Sequence, residues 1–310
     1  NILFSRSKFQ LSLIFKKLKS TVTIVEVGAR DGLQYEKVIL PWTVKVGLID
    51  RLSETGITRI ECGSFVNPKM IPQLSDAKEV FANINYKTRV RYSALVPNIK
   101  GMRAAIECNL KEIAVFGAAS EKFTQKNINC SIEESFLRFK EVIDLAKQNN
   151  IIVRGYLSCV IACPYAGKTN PKFVAELTKR MIDMGCFEVS LGDTIGIGQP
   201  DTISTLLTEV LKICDSNKVA LHCHDTNGMA IMNINRALEM GIGVFDCSIG
   251  GLGGCPFAGP SASGNVSTEK VVDLFATKGI LNEAIDVDKV KEVGSWITNI
   301  LKERKLTKEI

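Results

Sequence analysis

From Val22 onward, the hydrophobic positions fall into short apolar, β-branched runs that recur about every 20 to 40 residues. Between the runs, apolar residues recur at the spacing of one helix face, as Val44, Leu48 and Leu52 do after the first run. Strands that alternate with helices predict βαβ units and a parallel sheet. The eight runs are Val22–Val27, Thr58–Cys62, Thr88–Leu95, Glu112–Phe116, Ile152–Cys159, Phe187–Leu191, Val219–Cys223 and Val244–Ile249.

The number of units predicts how the sheet closes. Eight strand–helix units in about 250 residues are typical of an α/β protein with a (β/α)8 TIM barrel, rather than an open doubly wound sheet. No linker-like or low-complexity stretch interrupts residues 21–310, so we expect a single catalytic domain there. A last helical segment, Val287–Glu303, predicts a C-terminal helical extension that packs on the barrel.

Side chains that can bind a metal or take part in catalysis gather near the ends of these runs. The active site of a TIM barrel lies at the carboxyl ends of its strands, and a barrel with a structural role alone would not need such groups there. They are Arg30, Asp31 and Gln34 after the first run, Glu61 and Ser64 at the second, Arg154 in the fifth, Asp193 after the sixth, His222 and His224 at the seventh, and Cys255 and Asn265 after the eighth.

The only two histidines of the chain, His222 and His224, predict a metal site. Residues two apart on a strand point to the same face, and neutral imidazole is the commonest protein metal ligand. Asp31 and Asn265 can add a carboxylate and an amide oxygen, and this open set suits Mg²⁺ or Mn²⁺, although imidazole pairs also bind Zn²⁺. The alternatives are a strand-end histidine pair without metal and a carboxylate that caps the turn before Gly32.

Three further charged residues are candidates for catalysis. Arg30 can hold a carboxylate or a developing enolate oxygen through charge-assisted hydrogen bonds, and its alternative is a surface cation. Glu61 ends an apolar strand, where an unpaired carboxylate is costly, so we expect it to orient Arg30 or a bound water. Asp193 is placed similarly, with turn capping as the alternative. The candidate substrate-binding side chains are Arg30, Gln34, Ser64 and Arg154.

The segment Gly250–Phe257 has four glycines in its first five residues. Because glycine leaves the backbone free, we expect a mobile lid that carries Cys255, whose thiol can act as a general acid or base on closure. A buried structural cysteine is the alternative. The segment lacks the Gly-Lys-Ser/Thr ending of a phosphate-binding loop, and Gly196–Gly198 lacks the third glycine of a dinucleotide fingerprint.

Charge and composition narrow the class of protein. The net charge is +6, but residues 1–20 hold five basic residues and no acid, which leaves 34 basic and 33 acidic residues in the rest. Nucleic-acid binding therefore gains no support. Residues 1–20 mix cations, serine and apolar residues as mitochondrial presequences do. We expect a transit peptide and a location in the mitochondrial matrix, with an irregular basic arm as the alternative.

Two further function classes are disfavoured. No apolar run reaches the roughly 18 residues that a membrane span needs, so we expect no membrane partner. Ten cysteines in 310 residues are too few for a dense disulfide scaffold, and several lie inside apolar runs. There, cysteine behaves as a small hydrophobic residue, so we expect reduced structural thiols with Cys255 as the exception.

Five motifs in collinear order, from about Val22 to Leu301, resemble the 3-hydroxy-3-methylglutaryl-CoA lyase family. The motifs are Val25–Gln34, Phe116–Glu121, Ser190–Gly196, His222–Thr226 and Gly251–Phe257. The wider superfamily of metal-dependent barrel lyases and acyl-CoA condensing synthases is similar in its Arg-Asp turn and its His-x-His. The Gly-Gly-Cys-Pro loop is the feature that resembles the lyases.

The resemblance implies retro-Claisen cleavage of 3-hydroxy-3-methylglutaryl-CoA to acetyl-CoA and acetoacetate, as in ketone-body formation and leucine catabolism, by a homodimer. It implies that Mg²⁺ or Mn²⁺ is bound by Asp31, His222, His224 and Asn265. It also implies that Arg30 stabilises the enolate, that Cys255 joins proton transfer and that His222 takes part in catalysis. The implied supporting acids are Glu61, Asp193 and Glu269.

Two alternatives stay open. A condensing synthase on the same barrel, which joins acetyl-CoA to a 2-oxo acid, shares much of the pattern but lacks the Cys-Pro loop. A non-catalytic barrel that binds only metal or acyl-CoA is suggested by a departure from the family's spacing. Cys255 and Asn265 are ten residues apart here, one more than in the family pattern.

Overall fold

Eight parallel strands close into a barrel in the computed structural model, which describes residues 22–254 and 264–306. The strands are Thr23–Glu26 (β1), Arg59–Ser64 (β2), Arg91–Leu95 (β3), Glu112–Ala118 (β4), Ile152–Ser158 (β5), Cys186–Asp193 (β8), Val219–Cys223 (β9) and Val244–Cys247 (β10). Their order around the barrel follows the chain, and β10 pairs with β1 to close it. Each of the eight apolar runs forms one of these strands, so the predicted TIM barrel is confirmed.

Helices connect successive strands and cover the outside of the barrel. Because both faces of each strand are then enclosed, parallel strands read as near-continuous apolar runs. The helices are Trp42–Ser53 (α1), Ala77–Asn83 (α2), Ile99–Glu107 (α3), Glu121–Ile128 (α4), Ile132–Gln148 (α5), Pro171–Met184 (α6), Pro200–Val210 (α7), Ala230–Glu239 (α8), Thr268–Thr277 (α9) and Val287–Leu306 (α10).

Local sequence signals set where several helices begin. Ser131 caps α5, and its hydroxyl accepts from the Glu134 amide while the Glu134 carboxylate accepts from the Ser131 amide, a reciprocal capping box. Asn170 caps α6 ahead of Pro171, whose missing amide hydrogen costs nothing at the first helical position. The predicted C-terminal helix forms as α10 and packs on α9, on α1 and on the turn Ile249–Gly251.

A short antiparallel hairpin, Ala162–Cys163 (β6) with Gly167–Lys168 (β7), interrupts the strand–helix alternation after β5. The sequence pattern did not predict it, because two-residue strands are too short to show any periodicity. All nine cysteines that the structure describes are free, and eight of them are buried, as expected for structural thiols. Residues 1–20 and Cys255 lie outside the described residues, so the expected leader and the lid thiol stay predictions.

Charged side chains occupy part of the barrel interior and form what we call the interior ion-pair layer. It consists of Arg59, Glu112, Arg154, Glu188 and Asp246, all less than 9% exposed. Arg154 donates from Nε to Glu188 at 2.6 Å and from a terminal nitrogen to Asp246 at 2.7 Å. Arg59 also bonds Glu188, at 3.0 Å. Since a buried charge is tolerated only when it is paired, the layer holds strands β2, β4, β5, β8 and β10 in register.

Candidate active site and metal centre

A cavity of about 550 Å³ opens at the carboxyl ends of the barrel strands. Its wall includes Arg30 and Asp31 from the turn after β1, Tyr156 from β5, and His222 and His224 from the end of β9. The carboxyl ends of the strands are thus the face that carries the predicted chemistry, as the barrel architecture requires.

The side chains of Asp31, His222 and His224 converge on one point. Their potential ligand atoms all lie within 4.8 Å of one another, and the two imidazole rings are 5.3 Å apart at their centroids. Both histidines point to one face because they are two residues apart where β9 ends. Asp31 reaches them from a single π-helical turn, Gly28–Gly32, which follows β1, and β10 lies between β1 and β9 in the barrel.

Asn265 completes this group. Its Nδ2 donates to Asp31 Oδ2 at 2.8 Å and to the Leu252 carbonyl at 3.1 Å, which leaves Oδ1 as a free acceptor among the described residues. Within residues 22–254 and 264–306, neither Asn265 Oδ1 nor His224 Nδ1 has a hydrogen-bond partner, although both atoms are buried. Buried polar atoms are normally satisfied, so two orphaned polar atoms beside a carboxylate and a second imidazole fit a bound divalent cation.

The electrostatics keep these groups in the state that a metal requires. Burial alone would raise the pKa of Asp31, but the Arg30 guanidinium and the two imidazoles hold it below its ordinary value. Burial and the neighbouring His222 lower the pKa of His224 to about 4. Metal ligands must be deprotonated to bind, so an ionised Asp31 and a neutral His224 are ready as ligands at neutral pH.

Asp246 is a member of this site that the sequence did not reveal. His222 Nδ1 lies 3.3 Å from Asp246 Oδ2, while His222 Nε2 faces Asp31 at 3.9 Å. Ser190 and Arg154 also donate to Asp246, at 2.7 Å each. Burial would raise the pKa of Asp246, but Arg154 and His222 hold it well below its usual range. A carboxylate behind an imidazole fixes its tautomer and orientation for metal binding.

Arg30 is buried between two carboxylates. Its terminal nitrogen donates to Asp31 at 2.6 Å, and its Nε donates to Glu61 Oε2 at 2.5 Å. Tyr156 donates its hydroxyl to the same Glu61 oxygen at 3.2 Å, with its ring 5.3 Å from the guanidinium. Glu61 therefore orients Arg30, one of the two arrangements expected. Burial raises the pKa of Glu61, with only partial compensation from Arg30.

The other two predicted acids hold loops in place. Asp193 is fully buried at the end of β8, and its Oδ2 accepts from the Gly198 amide at 2.7 Å. Burial raises the pKa of Asp193, although the backbone amides of residues 196 to 198 partly offset this effect. Its Oδ1 has no partner among the described residues. Glu269 accepts from the Gly250 amide at 3.0 Å, which fixes the turn that begins the glycine-rich segment.

The predicted substrate-binding residues divide into two groups. Arg30 and Gln34 line the cavity, whereas Ser64 and Arg154 do not. Ser64 is buried and donates to the Leu95 carbonyl at 3.3 Å. The guanidinium of Arg154 is engaged with two carboxylates of the interior ion-pair layer, beneath the metal cluster. The structure thus brings Gln34 to the site and holds Ser64 and Arg154 in the barrel wall and interior.

One described residue of the glycine-rich segment reaches this cavity. Gly254 lines it, and Cys255 is the next residue in the chain, outside the described part. Gly253 has a φ of +110°, and an added Cβ there would lie 2.7 Å from Asn265 Nδ2. Only glycine accommodates that approach without strain, so the turn after β10 and the Asn265 amide are packed against each other.

Glu26 is a second residue that the sequence did not single out. It is fully buried, and its Oε1 accepts from the amides of Gly28 at 2.7 Å and Ile249 at 2.9 Å. Its Oε2 accepts from the Thr268 hydroxyl at 2.5 Å. Burial, only partly offset by these donors, raises the pKa of Glu26 to about 7. This carboxylate joins the turn that carries Arg30 to the turn after β10 and to helix α9.

A closed parallel barrel with a carboxylate–imidazole cluster and a buried arginine at its carboxyl end defines a barrel enzyme with a candidate metal centre. The chain belongs to the HMGL-like family, whose model matches residues 21–297. No helix in the described part of the chain is long and apolar enough to span a membrane.

Named relatives cover most of the chain. The chain is 51% identical to the mitochondrial hydroxymethylglutaryl-CoA lyase of Gallus gallus. The match extends over 283 residues and covers 91% of this chain and 94% of that protein. The chain is also 51% identical over 280 residues to the cytoplasmic 3-hydroxy-3-methylglutaryl-CoA lyase of Rattus norvegicus, 90% of this chain and 81% of that protein. The crystal structure of the HMG-CoA lyase from Brucella melitensis superposes with a TM-score of 0.88 at 48% identity, over 91% of this chain and 99% of that one.

Proposed function

We propose that this chain cleaves 3-hydroxy-3-methylglutaryl-CoA to acetyl-CoA and acetoacetate. The observation that carries the proposal is the convergence of Asp31, His222 and His224 within 4.8 Å beside the buried Arg30. About 50% identity to hydroxymethylglutaryl-CoA lyases over nine-tenths of the chain supports the lyase over a condensing synthase on the same barrel.

Asp31, His222, His224 and Asn265 would hold Mg²⁺ or Mn²⁺, with oxygen atoms of the substrate as further ligands. The carboxylate and amide oxygens suit Mg²⁺ and Mn²⁺, and four protein ligands leave positions open in an octahedral shell. When bound, the ion supplies Lewis-acid polarisation of the substrate's oxygens. Asp246 supports His222 in this role, because its contact at 3.3 Å fixes the other ring nitrogen.

The cleavage is a retro-Claisen step, and each proton and electron pair has a destination. A base at this cluster removes the proton of the C3 hydroxyl, and the oxygen forms the new ketone of acetoacetate. The bond between C2 and C3 breaks, and its electrons form the enolate of acetyl-CoA. Arg30 would stabilise this enolate oxygen, because preorganised charged donors in a buried site are the strongest stabilisers of developing charge.

Arg30 is fixed for that task. Glu61 and Asp31 bind two of its nitrogens at 2.5 and 2.6 Å, and Tyr156 holds Glu61 from the other side. Burial would lower the pKa of Arg30, but the two carboxylates raise it above its ordinary value. The guanidinium therefore stays charged throughout turnover, and Glu61 acts as a positioning residue.

The proton that C2 of the enolate accepts comes from Cys255 in this proposal. The support is the Gly-Gly-Cys-Pro motif, together with the place of Gly254 in the cavity wall immediately before Cys255. A thiol is a suitable general acid near neutral pH when it is delivered by a closing segment. Gln34, in the same wall, is proposed to contact the acyl-CoA substrate.

The test is turnover of 3-hydroxy-3-methylglutaryl-CoA in a coupled acetoacetate assay, with Mg²⁺ and with EDTA, for the wild type and for Cys255→Ala. We expect metal-dependent cleavage that falls by roughly 100-fold or more in the variant, the range of a lost general acid. A folded protein that cleaves nothing with any divalent metal would refute the lyase assignment. Metal-dependent cleavage that Cys255→Ala leaves intact would remove Cys255 from the mechanism.

We further propose that residues 1–20 are a mitochondrial presequence, that residues 21–310 form the catalytic domain and that the enzyme is a homodimer in the matrix. The basic, acid-free leader supports the location, whereas relatives at similar identity carry both mitochondrial and cytoplasmic names. Import of the full chain into isolated mitochondria, beside a chain without residues 1–20, tests the leader. Sedimentation equilibrium tests the dimer.

A further inference from the structure

A second cavity, of about 650 Å³, lies at the opposite end of the barrel from the metal cluster. It is formed by the amino ends of strands β1 to β4 and the loops that precede them, from Thr23 at the start of β1 to Lys111 just before β4. None of the residues proposed for catalysis contributes to its wall, so this cavity is separate from the active site.

The wall is strongly cationic. Five of its residues are basic and none is acidic; the basic ones are Arg59, Lys87, Arg89, Arg91 and Lys111. Lys87 pairs with Glu54 at 2.6 Å and Arg91 pairs with Glu112 at 3.1 Å, while Arg59 pairs within the interior ion-pair layer. Among the described residues, Arg89 and Lys111 form no salt bridge within 4.0 Å. The rim therefore carries positive charge that no described carboxylate neutralises, although residues 21–310 are nearly neutral overall.

Arg59 forms a fixed floor beneath that rim. It is only 8% exposed, and its Nε has no hydrogen-bond partner among the described residues. Glu188 holds both of its terminal nitrogens, at 3.1 and 3.0 Å. The guanidinium also lies 5.3 Å from the Phe187 ring centroid, with Arg91 5.8 Å from the same ring. An unsatisfied buried donor is costly, and here it belongs to a cation held rigidly at the base of a cavity.

The wall also offers an aromatic surface. Tyr86 is 49% exposed, and its ring packs edge-on against Tyr92 at 4.9 Å, which holds it in place. A planar ring can stack on such a tyrosine, and the cavity volume lies within the range of small-molecule sites. Cations around the mouth and an aromatic side wall together match a ring compound that carries a phosphate.

We propose that this cavity binds a small phosphorylated molecule of nucleoside monophosphate size. Arg89 and Lys111 bind the phosphate, and Tyr86 contacts the ring. The inference does not depend on the reaction at the other end of the barrel, because it rests on a different set of residues. It assigns a ligand-binding role to the amino end of the barrel.

The experiment is isothermal titration calorimetry of the metal-loaded protein with AMP, adenosine and inorganic phosphate, none of which strips metal strongly. The test variant is Arg89→Gln/Lys111→Gln, and the matched control is Lys278→Gln/Lys302→Gln, which removes the same charge from exposed positions elsewhere. All four side chains are exposed, so we expect both variants to fold, and thermal melting checks this. Tyr86→Ala separates stacking from charge.

We expect one AMP per chain, bound more tightly than phosphate or adenosine. The affinity should fall about tenfold or more in Arg89→Gln/Lys111→Gln, since charge-assisted hydrogen bonds to phosphate are lost, and should stay unchanged in the control. A weaker AMP affinity in Tyr86→Ala supports the ring contact. Absence of saturable AMP binding, or an equal affinity in the rim variant and the wild type, would overturn the proposal. Equal losses in both charge variants would overturn it too, because they would report only overall charge.

Discussion

The interior ion-pair layer and the mouth of the barrel lie next to each other, but they differ in how their buried acceptor atoms are satisfied. In the layer, Arg154 donates to Glu188 and Asp246, and Asp246 also accepts from Ser190. At the mouth, Glu61 Oε1, Asp193 Oδ1, His224 Nδ1 and Asn265 Oδ1 are buried without partners among the described residues.

This difference distinguishes charged groups that stabilise the fold from polar groups that are available to bind a ligand. A buried carboxylate whose oxygens are all paired within the protein holds strands together and has no acceptor left for a ligand. Acceptors left without partners cost stability, so a group of them at the carboxyl end of a barrel indicates that something else binds there. His222 belongs to both regions, since one ring nitrogen meets Asp246 and the other faces Asp31.

The largest expected effect is a loss of unfolding free energy when a cation of the interior ion-pair layer is removed. Arg154→Met leaves Glu188 and Asp246 buried without their main cation, and removing one partner of a buried ion pair costs about 3–5 kcal/mol. Urea unfolding of the metal-free protein measures it. The control is Arg180→Met, which breaks the exposed pair with Glu133 and should cost less than about 1 kcal/mol. Similar losses in both variants would show that the layer contributes little.

A substitution of the buried arginine at the mouth, Arg30, should act on turnover. Arg30→Lys keeps the positive charge but cannot contact Asp31 and Glu61 through two fixed nitrogens. We expect kcat to fall by about 100- to 1,000-fold, the effect of a lost oxyanion donor, with metal affinity within a few-fold of wild type. Steady-state kinetics and Mn²⁺ titration measure the two quantities. A loss confined to KM would place Arg30 in ground-state binding instead.

Glu26 is buried like the layer but has only backbone and hydroxyl donors as partners. Its pKa is raised from 4.5 to about 7 in the folded chain, so between these values the folded chain binds a proton that the unfolded chain releases. Its stabilising contribution is complete below pH 4.5 and is lost as the pH rises through 7.

Glu26→Gln removes this titration while it keeps an acceptor for Gly28 and Ile249. We expect the wild type to lose about 3 kcal/mol of unfolding free energy relative to the variant between pH 5 and pH 8. Denaturant unfolding at several pH values measures the difference. Parallel pH profiles for the two proteins would mean that Glu26 is already ionised at pH 5.

The smallest of these effects is expected for Asp246, the residue of the layer that contacts His222. Asp246→Asn weakens the support of His222, and such changes behind a metal-binding histidine lower metal affinity about 10- to 100-fold. Mn²⁺ titration followed by electron paramagnetic resonance measures the affinity. Ser190→Ala, which removes a donor from the same Asp246 oxygen without touching His222, should have a smaller effect. Unchanged affinity in Asp246→Asn would leave Asp246 in the layer alone.

Local patterns predicted the barrel because parallel strands with both faces covered are continuous apolar runs, and all eight are strands in the structure. They also brought His222 and His224 together, since spacing of two on a strand fixes the face. Asp246 was missed because an aspartate inside an apolar run has no local signal, and its partner Arg154 is 92 residues away.

The positions of Arg154 and Ser64 show a second property that the sequence does not predict, which is the depth of a side chain in the barrel. Both lie on strands that lead to the site, but how deep a side chain lies in a barrel depends on the tilt and stagger of the strands. The sequence does not reveal this depth, and so two residues of the wall and interior were predicted to bind substrate. The role of Cys255 stays a prediction, because it lies outside the described residues.

We expect Asp31, His222, His224 and Asn265 at the mouth of the barrel to form one divalent metal site. The most direct measurement is the number of Mn²⁺ ions bound per chain, from the paramagnetic resonance signal of free Mn²⁺, for the wild type and His224→Ala. We expect one tight Mn²⁺ per chain in the wild type and at least a roughly 100-fold weaker site in a variant that still folds. Absence of stoichiometric binding, or equal affinity in the two proteins, would contradict it.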